Sequence, residues 1–447
     1  MNVSVFGLGY VGLTYAVCLA YRGFKVIGVD VDEERVKTIN KGIAPFFEPN
    51  LDSLLKQVIS DGSFIATTDY KYAVENSDVS VIFVGTPSLP DGSPDLKYVK
   101  SASEMIGEAL RFKEKYHLVV VRSTVPPGTT EEVVKPIIEN ISGKVCGKDF
   151  GLCMNPEFVR EGRAVEDTLK PDRVVIGEFD ERSGEFLENL YKKFLGDWKC
   201  PIIRTSTYNA ELIKYAANTF LALKISYINF IARLCEKLPK ADVRDVADGI
   251  GLDPRIGRAF LNAGLGFGGS CFPKDLKAFI KIAEALGEEP SLINSVIRIN
   301  EEQIERAVWL LKKGLGKDIT NAKIAVLGLS FKPNTDDIRE SQSIKLVKRL
   351  VELGAQVKVH DPKALEKAKS VLGNTVEYCN DMYECLKDSE AILIATEWPE
   401  YSNIDLDLAR KVVRNPLIID CRRILDPKIA RNKGFKYLGM GRSLLML

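Results

Sequence analysis

Histidine is scarce in this chain, and its cysteines follow no metal-binding pattern. Only His117 and His360 are present among 447 residues, so proton transfer in any enzymatic site falls to lysine, aspartate and glutamate. Each histidine lies at one end of an apolar run, and we expect both at strand ends. The nine cysteines include no Cys-x-x-Cys pair, which favours reduced thiols in a cytosol over a disulfide framework or a zinc site.

Excess charge and long uncharged apolar runs are lacking as well. The net charge is +1, which argues against a nucleic acid or an anionic membrane surface as a partner. No apolar run stays uncharged for the length of a membrane span, and the apolar N-terminus lacks the basic region and cleavage site of a signal peptide. We therefore expect a cytoplasmic protein of about two or three domains.

The N-terminus carries a glycine fingerprint between two predicted strands. The run 2–6 leads into Gly7-Leu8-Gly9-Tyr10-Val11-Gly12 and a helical pattern to Tyr21, and a second strand, 25–29, ends in Asp30. The glycines permit a tight turn and the approach of a pyrophosphate, while the carboxylate accepts from ribose hydroxyls. Asp30 favours NAD over NADP, whereas Arg35 is able to meet either a 2′-phosphate or the pyrophosphate.

Polar turns follow the next predicted strands. Thr86 comes after the strand 79–84 and Thr124 after the strand 117–121. Ligands of an open parallel sheet bind at the carboxyl ends of its strands, so we expect both turns on the nicotinamide side of the cleft. Ordinary Pro/Gly turn chemistry is the alternative. The later run 155–162, NPEFVREG, indicates either a site or a helix start with acids in its first turn.

A helical pattern without glycine or proline runs from Thr207 to Leu238. A helix of this length outruns one domain, and we expect it to join two domains and to contribute to a subunit interface. Lys214 and Asn218 lie four residues apart and therefore share one helix face. A solvated lysine is the alternative at that position.

The stretch from Gly264 to Asp275 reads GLGFGGSCFPKD. Its glycines let the backbone approach a ligand closely, and a cysteine beside cationic groups is placed as a thiolate nucleophile. A glycine-rich surface loop with an incidental cysteine is the alternative. Downstream, apolar runs at 323–327, 356–360, 391–395 and 417–419 alternate with helical patterns, which predicts a second α/β domain without a full GxGxxG.

These patterns predict an α/β fold with two Rossmann-like, doubly wound domains joined by a long central helix. The expected division is 1–200 for a domain that binds NAD, 201–313 for a helical dimerisation region with the cysteine loop, and 314–447 for a C-terminal α/β domain.

The motifs GFGGSCFPKD, STVPPGT, NPEFVREG, IKYAAN and FKPNTDDIRES resemble those of the nucleotide-sugar 6-dehydrogenases, the UDP-glucose/GDP-mannose dehydrogenase family. The resemblance covers nearly the whole chain. It implies a four-electron oxidation of the C6 alcohol of UDP-glucose to the acid with two NAD⁺, a C-terminal domain that binds the UDP-sugar, and a homodimer or higher homo-oligomer.

The resemblance also implies roles for individual residues. Cys271 adds to the C6 aldehyde as a thiohemiacetal and becomes a thioester. Lys214 with Asn218 stabilises the oxyanion, and Asp275 with Thr124 holds the water. Glu157 takes part in hydrolysis of the thioester, either as a base or through an intervening water.

Binding residues are implied in the same way. The cofactor residues are Gly7, Gly9, Tyr10, Val11, Gly12, Asp30, Arg35, Thr86, Thr124, Glu161, Lys274 and Arg339. The substrate residues are Glu157, Phe158, Val159, Arg160, Glu161, Lys214, Asn218, Arg255, Phe260, Leu261, Asn262, Ala263, Gly264, Gly268, Phe331, Lys332 and Arg422. Arg255 resembles an arginine that a partner subunit supplies to the active site. Arg422 is implied to contact the UDP or the sugar, and Arg423 is the alternative for that contact.

Substrate choice rests on the loop 270–275, SCFPKD. It favours UDP-glucose over UDP-N-acetylmannosamine, whose dehydrogenases carry a different cysteine loop, while GDP-mannose dehydrogenases share GGSC-x-PKD. The text Asp420-Cys421-Arg422 departs from the family's Asp-Gly-Arg or Asp-Ala-Arg. Other classes are a two-electron dehydrogenase of the 3-hydroxyacid or 6-phosphogluconate type, in which Cys271 has no role, and an NAD-binding regulatory protein without catalysis.

Overall fold

The computed structural model describes residues 1–445, which divide into two units. The first unit comprises Met1–Ala217 and Lys277–Ile282, and the second comprises Asn218–Leu276 and the chain from Ala283 onward. Within the described residues, no helix is both long and apolar enough to cross a bilayer.

The elements from the N-terminus to the long helix α9 are given first, in chain order. They are β1 (Asn2–Phe6), α1 (Tyr10–Tyr21), β2 (Lys25–Val29), α2 (Glu33–Asn40), α3 (Leu51–Ser60), β3 (Phe64–Thr67), α4 (Tyr70–Glu75), β4 (Val79–Ile82), α5 (Lys97–Leu110), β5 (His117–Val121), a wide helical turn (Thr129–Val134), α6 (Lys135–Ser142), β6 (Phe150–Met154), α7 (Ala164–Leu169), β7 (Val174–Glu178), α8 (Glu181–Leu195), β8 (Ile202–Ser206) and α9 (Thr207–Cys235).

The first unit is built on one sheet that is buried on both faces. Among the described residues its eight strands are ordered β3-β2-β1-β4-β5-β6-β7-β8, with β6 antiparallel to β7 and the other neighbours parallel. Hydrophobic clusters lie on its two faces, one containing Val3 and Val5 and the other Phe6 and Ile82. Strands covered on both faces are continuously apolar, which is why β5 reads HLVVV.

The later elements also alternate. They are α10 (Val243–Gly251), α11 (Phe272–Ala285), α12 (Ser291–Leu315), β9 (Lys323–Leu327), α13 (Gln342–Glu352), β10 (Gln356–His360), α14 (Leu365–Leu372), β11 (Glu377–Tyr378), α15 (Met382–Leu386), β12 (Ala391–Ile394), α16 (Pro399–Ser402), α17 (Leu406–Val412), β13 (Leu417–Asp420), α18 (Pro427–Asn432) and β14 (Lys436–Gly439).

The second unit has its own parallel sheet. Over the part of the chain that the structure describes, six strands run in the order β11-β10-β9-β12-β13-β14. Ala325 belongs to the hydrophobic cluster on one face of β9, and Ile324 and Val326 belong to the cluster on the other. The alternation of helices and parallel strands gives this unit the doubly wound form as well.

The predicted fold class is confirmed, but the sequence patterns did not indicate the strands β3, β7, β8, β11 and β14, and some element ends differ. The helix α9 runs from the first unit into the second and ends at Cys235 instead of Leu238, because the Leu238 amide bonds to the Cys235 carbonyl oxygen three residues back. The strand β4 ends at Ile82 instead of residue 84. Both histidines lie at strand ends as expected. The finer division at 200 and 313 stays a prediction.

Candidate active site

The glycine fingerprint forms the turn between β1 and α1, and its glycines serve different purposes. Gly7 has a φ of +98°, and a Cβ there would lie 2.6 Å from the carbonyl oxygen of Phe83. A Cβ at Gly12 would lie 2.0 Å from the Gly7 carbonyl oxygen. At Gly9, a Cβ would meet no atom of the described chain within 4 Å. Gly9 therefore leaves the space that a pyrophosphate needs above the first turn of α1.

Asp30 lies directly after β2, at the ribose side of this turn. Its Oδ2 accepts from the amide of Leu8 at 2.8 Å and from Nη1 of Arg35 at 3.1 Å, and its Oδ1 accepts from the amide of Asp32 at 3.1 Å. A carboxylate offers about four acceptor positions, so one remains for a ribose hydroxyl. These residues and the glycine turn line a cleft of about 360 Å³. A carboxylate beside a glycine turn at an open cleft is the arrangement that the adenosine half of NAD requires.

The turns after β4 and β5 meet in the first unit. The hydroxyl of Thr86 donates to the carbonyl oxygen of Thr124 at 2.9 Å. The carboxylate of Glu211, on α9, accepts from the amides of Gly128 and Thr130 at 2.6 and 2.8 Å. Burial raises the pKa of Glu211 to about 7 against these hydrogen bonds. The loop that carries Thr124 is therefore fixed at both ends.

A buried ion pair joins α9 to the loop after β6. Nζ of Lys214 donates to Oε1 and to the carbonyl oxygen of Glu157, both at 2.8 Å, and the side chains are 4% and 8% exposed. Burial would raise the pKa of the Glu157 carboxyl, but the charge and hydrogen bond of Lys214, with the Val159 amide, lower it overall. Glu157 is therefore ionised at neutral pH. The Phe158 ring lies 5.6 Å from the Lys214 ammonium.

The rest of this loop contains predicted substrate residues that make contacts of their own. The guanidinium of Arg160 forms two hydrogen bonds, at 2.7 and 2.8 Å, with the carboxylate of Asp167, and the Arg160 amide donates to the same group at 3.0 Å. Glu161 is half-buried. The Arg160 guanidinium is thus held by Asp167 of α7, and Glu157 makes a hydrogen bond to Lys214, another predicted catalytic residue.

The glycine-rich loop before α11 is fixed by close contacts within the second unit. Gly266 has a φ of +97°, and a Cβ there would lie 2.3 Å from Oδ1 of Asn300. A Cβ at Gly268 would lie 2.3 Å from the carbonyl oxygen of Glu340. Asn300 also accepts from the Phe267 amide at 2.8 Å and donates to the Phe267 carbonyl oxygen at 3.0 Å. Gly266 and Gly268 are therefore needed for the packing of this loop against Asn300 and Glu340.

Cys271 directly precedes α11, and a buried polar cluster lies one turn further along. The amide of Asp275 donates to the Cys271 carbonyl oxygen at 2.9 Å, so the thiol is at the helix N-terminus. The buried Asp275 carboxylate accepts from Nδ2 of Asn218 at 2.6 Å and from Nζ of Lys274 at 2.7 Å. The Ser270 hydroxyl lies 3.6 Å from the Cys271 sulfur. The second unit thus brings these predicted residues together.

A cleft of about 390 Å³ lies beside the predicted substrate segment 260–264. It is lined by predicted residues of that segment and by several arginines: Leu261, Asn262, Ala263, Arg244, Arg258, Arg422 and Arg423. Phe260, which starts the segment, has a φ of +64°, a conformation that non-glycine residues adopt mainly at functional or tightly constrained positions.

The two neighbouring arginines at this cleft have different partners. The guanidinium of Arg423 is buried and donates to both carboxylate oxygens of Asp242, at 2.9 and 2.7 Å. Arg422 donates through Nε to the Ala395 carbonyl oxygen at 2.7 Å and through Nη1 to the Gly266 carbonyl oxygen at 3.2 Å. Arg422 also pairs with the carboxylate of Glu397 at 3.2 Å. Both arginines thus have partners within the chain, and Arg422 as the ligand contact stays a prediction.

Other predicted residues lie in separate local contacts. A Cβ at Gly269 would lie 2.7 Å from the Phe331 ring, and Nζ of Lys332 lies 5.5 Å from the same ring. Arg339 pairs with Asp337 at 2.6 Å. The side chain of Arg255 is 87% exposed, and its guanidinium pairs with the carboxylate of Asp253, two residues earlier, at 2.6 Å. Among the described residues, this ion pair does not involve a predicted catalytic residue.

Sequence reasoning missed several buried residues that shape these sites. Glu48 binds the loop 162–164, and Asn300 and Asn229 bind the glycine-rich loop. The guanidinium of Arg122 donates to Oδ1 of Asn155, two residues before Glu157. A lone polar residue carries no periodic signal in a sequence. Only the position of Arg122, next to Ser123 and Thr124, offered a hint.

The turn at Gly7 to Gly12, its acidic neighbour Asp30 and a parallel sheet around them define an NAD-dependent dehydrogenase. The chain matches the models of three domains of the UDP-glucose/GDP-mannose dehydrogenase family. These are the NAD binding domain at residues 1–195, the central domain at 208–302 and the UDP binding domain at 325–427. The chain belongs to this family, and its cofactor is NAD.

Known relatives resemble the chain over its full length. It is 42% identical to the UDP-glucose 6-dehydrogenase TuaD of Bacillus subtilis, over 99% of this chain and 93% of that protein. The structure of a UDP-glucose dehydrogenase from Pyrobaculum islandicum matches with a TM-score of 0.91 at 44% identity, covering 99% and 98% of the two chains. A UDP-D-ManNAc dehydrogenase from Pyrococcus horikoshii matches with 0.86 at 33% identity, covering 99% of each.

Proposed function

We propose that this chain oxidises the C6 alcohol of UDP-glucose to the carboxylate of UDP-glucuronate and reduces two NAD⁺ per substrate. The observation that carries the proposal is the position of Cys271 at the N-terminus of α11, with the buried Asp275 one turn further along. An oxidation that stops at the aldehyde needs no sulfur nucleophile. An oxidation to the acid gains from a covalent acyl carrier that water releases.

The proposed reaction balances as one alcohol, two NAD⁺ and one water giving one carboxylate, two NADH and three protons. Bound NAD supplies the electron acceptor for both oxidations. After the first oxidation, the Cys271 sulfur adds to the C6 aldehyde. In the second oxidation, the resulting thiohemiacetal loses two electrons and becomes a thioester. Water then displaces the sulfur, and Cys271 leaves as a thiolate.

The surroundings of Cys271 support a nucleophilic role. The N-terminus of a helix and a neighbouring cation both favour the thiolate form, and Lys274 lies in the first turn of α11. Asp275 opposes this effect with its negative charge. That charge is already shared with Lys274 and Asn218 at hydrogen-bond distance, so its influence on the sulfur is weakened.

Lys214 is proposed to stabilise the oxyanion that develops at C6, with Asn218 as a second donor. A preformed cation in a buried site acts strongly on such a charge, and the ion pair with Glu157 holds the ammonium in place. The lowered pKa of Glu157 suits an acceptor that orients Lys214 or a water more than a strong base. Asp275 and Thr124 are proposed to position the hydrolytic water.

UDP-glucose is proposed as the substrate because the relatives with the higher identities are named for it. The loop SCFPKD agrees with that branch over UDP-N-acetylmannosamine, while GDP-mannose dehydrogenases share GGSC-x-PKD. The proposed contacts are the loop 157–161, Lys214, Asn218, Arg255, the segment 260–264, Gly268, Phe331, Lys332 and Arg422. GDP-mannose and UDP-N-acetylmannosamine are the alternatives within the family.

A homodimer is proposed as the assembly. Four large apolar side chains on one face of α9 are exposed in the single chain: Phe220, Tyr227, Phe230 and Leu234. Their spacing of seven, three and four residues places them in one helical stripe, and such a stripe on a helix marks an interface. The exposed Arg255 would then be able to act on the partner subunit.

The decisive experiment counts NADH for each molecule of product with three substrates: UDP-glucose, GDP-mannose and UDP-N-acetylmannosamine. We expect two NADH per acid, and a kcat/KM for UDP-glucose at least about tenfold above the others. One NADH per product would indicate a two-electron dehydrogenase. Faster turnover of another sugar would move the substrate assignment, and NAD binding without any turnover would indicate a regulatory protein.

A further inference from the structure

Glu48 is a buried carboxylate that none of the motifs includes. Its residue is 4% exposed, and it lies between α2 and α3. Oε2 accepts from the Gly162 amide at 2.7 Å, and Oε1 accepts from the Ala164 amide at 2.8 Å. Both amides belong to the end of the loop that carries Glu157 and Glu161. A buried carboxylate with charge-assisted hydrogen bonds to backbone amides fixes that backbone strongly.

Tyr10 is the third partner of this carboxylate, and it is the first residue of α1. Its hydroxyl donates to Oε2 of Glu48 and accepts from the Gly162 amide at 3.0 Å. Burial, and then the hydrogen bond to Glu48, raise the pKa of Tyr10 well above its ordinary value, so the phenol keeps its proton. The ring packs against Phe46 at 4.5 Å between centroids.

We propose that Tyr10 and Glu48 are positioning residues that couple NAD binding at the first turn of α1 to the order of the loop from Asn155 to Ala164. The first turn of α1 follows Gly9, where the fingerprint leaves space for the pyrophosphate. A phosphate bound to the amides of this turn restrains its backbone. Because Tyr10 belongs to that turn, its hydroxyl is restrained as well.

The physical basis is linkage between two local equilibria. A ligand shifts a conformational equilibrium only if it interacts differently with the two states. The loop is bound to α1 through the Tyr10 hydroxyl and Glu48, so an α1 turn held by NAD favours the ordered loop, and the ordered loop favours the bound turn to the same degree. The inference rests on the NAD site and is independent of which nucleotide sugar is oxidised.

The test is hydrogen–deuterium exchange of the full chain with NAD alone. In the parent protein, we expect NAD to slow exchange at the Gly162 and Ala164 amides by about fivefold or more. In Tyr10→Phe the hydroxyl is lost, while the ring and the backbone amide in the turn remain. We therefore expect NAD still to bind, with an affinity lower by no more than the coupling factor, while this slowing falls to less than about twofold. Tyr21→Phe removes a hydroxyl at the exposed end of the same helix and should behave like the parent.

Several results would overturn the inference. They are an absence of NAD-induced protection in the parent, the parental degree of protection in Tyr10→Phe, or a loss of NAD binding by Tyr10→Phe at millimolar NAD. Glu48→Gln should expose both amides to exchange with and without NAD, since one amide oxygen cannot replace two carboxylate oxygens. If Glu48→Gln does not fold, Tyr10→Phe decides alone. Because no sugar is present, a wrong substrate assignment leaves this test unchanged.

Discussion

At the scale of single residues, the ion pair between Lys214 and Glu157 shows how this protein stabilises a buried cation. Lys214 is 4% exposed and has one carboxylate and one carbonyl oxygen within 2.8 Å. Removing one partner of a buried pair costs about 3–5 kcal/mol, because the other charge is left without compensation. Both members are therefore needed even if only Lys214 touches the substrate.

Replacement of the proposed nucleophile gives the first prediction. In Cys271→Ser, the first oxidation remains possible but no thioester forms, so we expect acid production to fall by at least about 10³-fold. NADH release and acid should be measured in the same sample by absorbance and mass spectrometry. Cys200→Ser, at a half-buried cysteine of the first unit, should keep the parent rate. Acid formation by Cys271→Ser near the parent rate would refute the covalent route.

A buried histidine gives the second prediction, which concerns pH. Nε2 of His117 bonds to the Ser80 hydroxyl at 2.7 Å, and burial lowers the pKa of His117 to about 3 from an ordinary 6.5. The unfolded chain therefore binds a proton between pH 6.5 and 3 that the folded chain does not. We expect the free energy of unfolding to decrease as pH falls through this window, by up to about 1.4 kcal/mol per pH unit from this residue.

The check is the slope of unfolding free energy against pH between 4 and 6.5. His117→Gln should reduce the slope for the first unit by about one bound proton, even if its stability at pH 7 is lower. His360→Gln lies in the second unit and should leave that transition as it is. An unchanged slope in His117→Gln would mean that His117 charges freely in the folded state.

At the scale of elements, the same strand–loop–strand unit occurs twice with different results. Gly7 and Gly328 have φ values of +98° and +102°, and Asp30 and Asp361 each follow the second strand of their sheet. Asp361 accepts from the backbone amides of Leu329, Ser330, Lys363 and Ala364, from the Ser330 hydroxyl and from the Trp398 ring nitrogen. No acceptor position is left on it for a ribose.

This difference explains why one of the two loops keeps a dinucleotide site. Asp30 has three donors among the described residues, and it borders an open cleft. Around Asp361, the tryptophan and hydroxyl groups already occupy the equivalent place. The sequence agrees, since the second loop reads Gly328-Leu329-Ser330 without the later glycines.

The glycine-rich loop gives the third prediction. In Gly268→Ala the new methyl would lie 2.3 Å from the Glu340 carbonyl oxygen, a backbone atom that cannot move aside cheaply. We expect displacement of the loop and a kcat at least about 10²-fold lower, as misplaced catalytic groups commonly give. Gly249→Ala, in α10, meets no atom of the described chain within 4 Å. It should keep full activity and gain about 0.5–1 kcal/mol of stability.

The two measurements separate loop geometry from general damage. Activity is compared with thermal stability for both variants. A Gly268→Ala protein with parental kcat would show that the loop tolerates the shift, and the contact with Glu340 would have no functional weight.

At the scale of the whole molecule, a balanced net charge of +1 leaves apolar surface as the main means of self-association. The exposed stripe on α9 is the proposed interface, and the fourth prediction tests it. Phe230→Asp puts a charge in the middle of the stripe, and we expect the molar mass in light scattering to fall to that of one chain. Burying an uncompensated charge at an interface core is strongly unfavourable.

Leu286→Asp serves as the matched control. Leu286 is more exposed than Phe230 and lies directly after the end of α11, so its replacement should leave the mass unchanged. If Phe230→Asp remains a dimer, another surface holds the subunits together. Loss of activity in monomeric Phe230→Asp would further support a role for Arg255 across subunits.

The amino-acid sequence by itself determined the fold class, the ends of the strands that it predicted within about two residues, the NAD fingerprint and the loop around Cys271. These features are local: a glycine turn, a periodic apolar run or a short motif is written in neighbouring residues. The family followed from the same short stretches.

Only the tertiary structure decided which side chains meet. It paired Lys214 with Glu157, joined Asn218 to Asp275, tied Arg423 to Asp242 and brought Glu48 to the loop 162–164. These partners are distant along the chain, and a single polar residue has no period by which to be recognised. Their cost or benefit arises from burial, because a polar group removed from water must find its partner in the fold, and burial is a property of the folded chain alone.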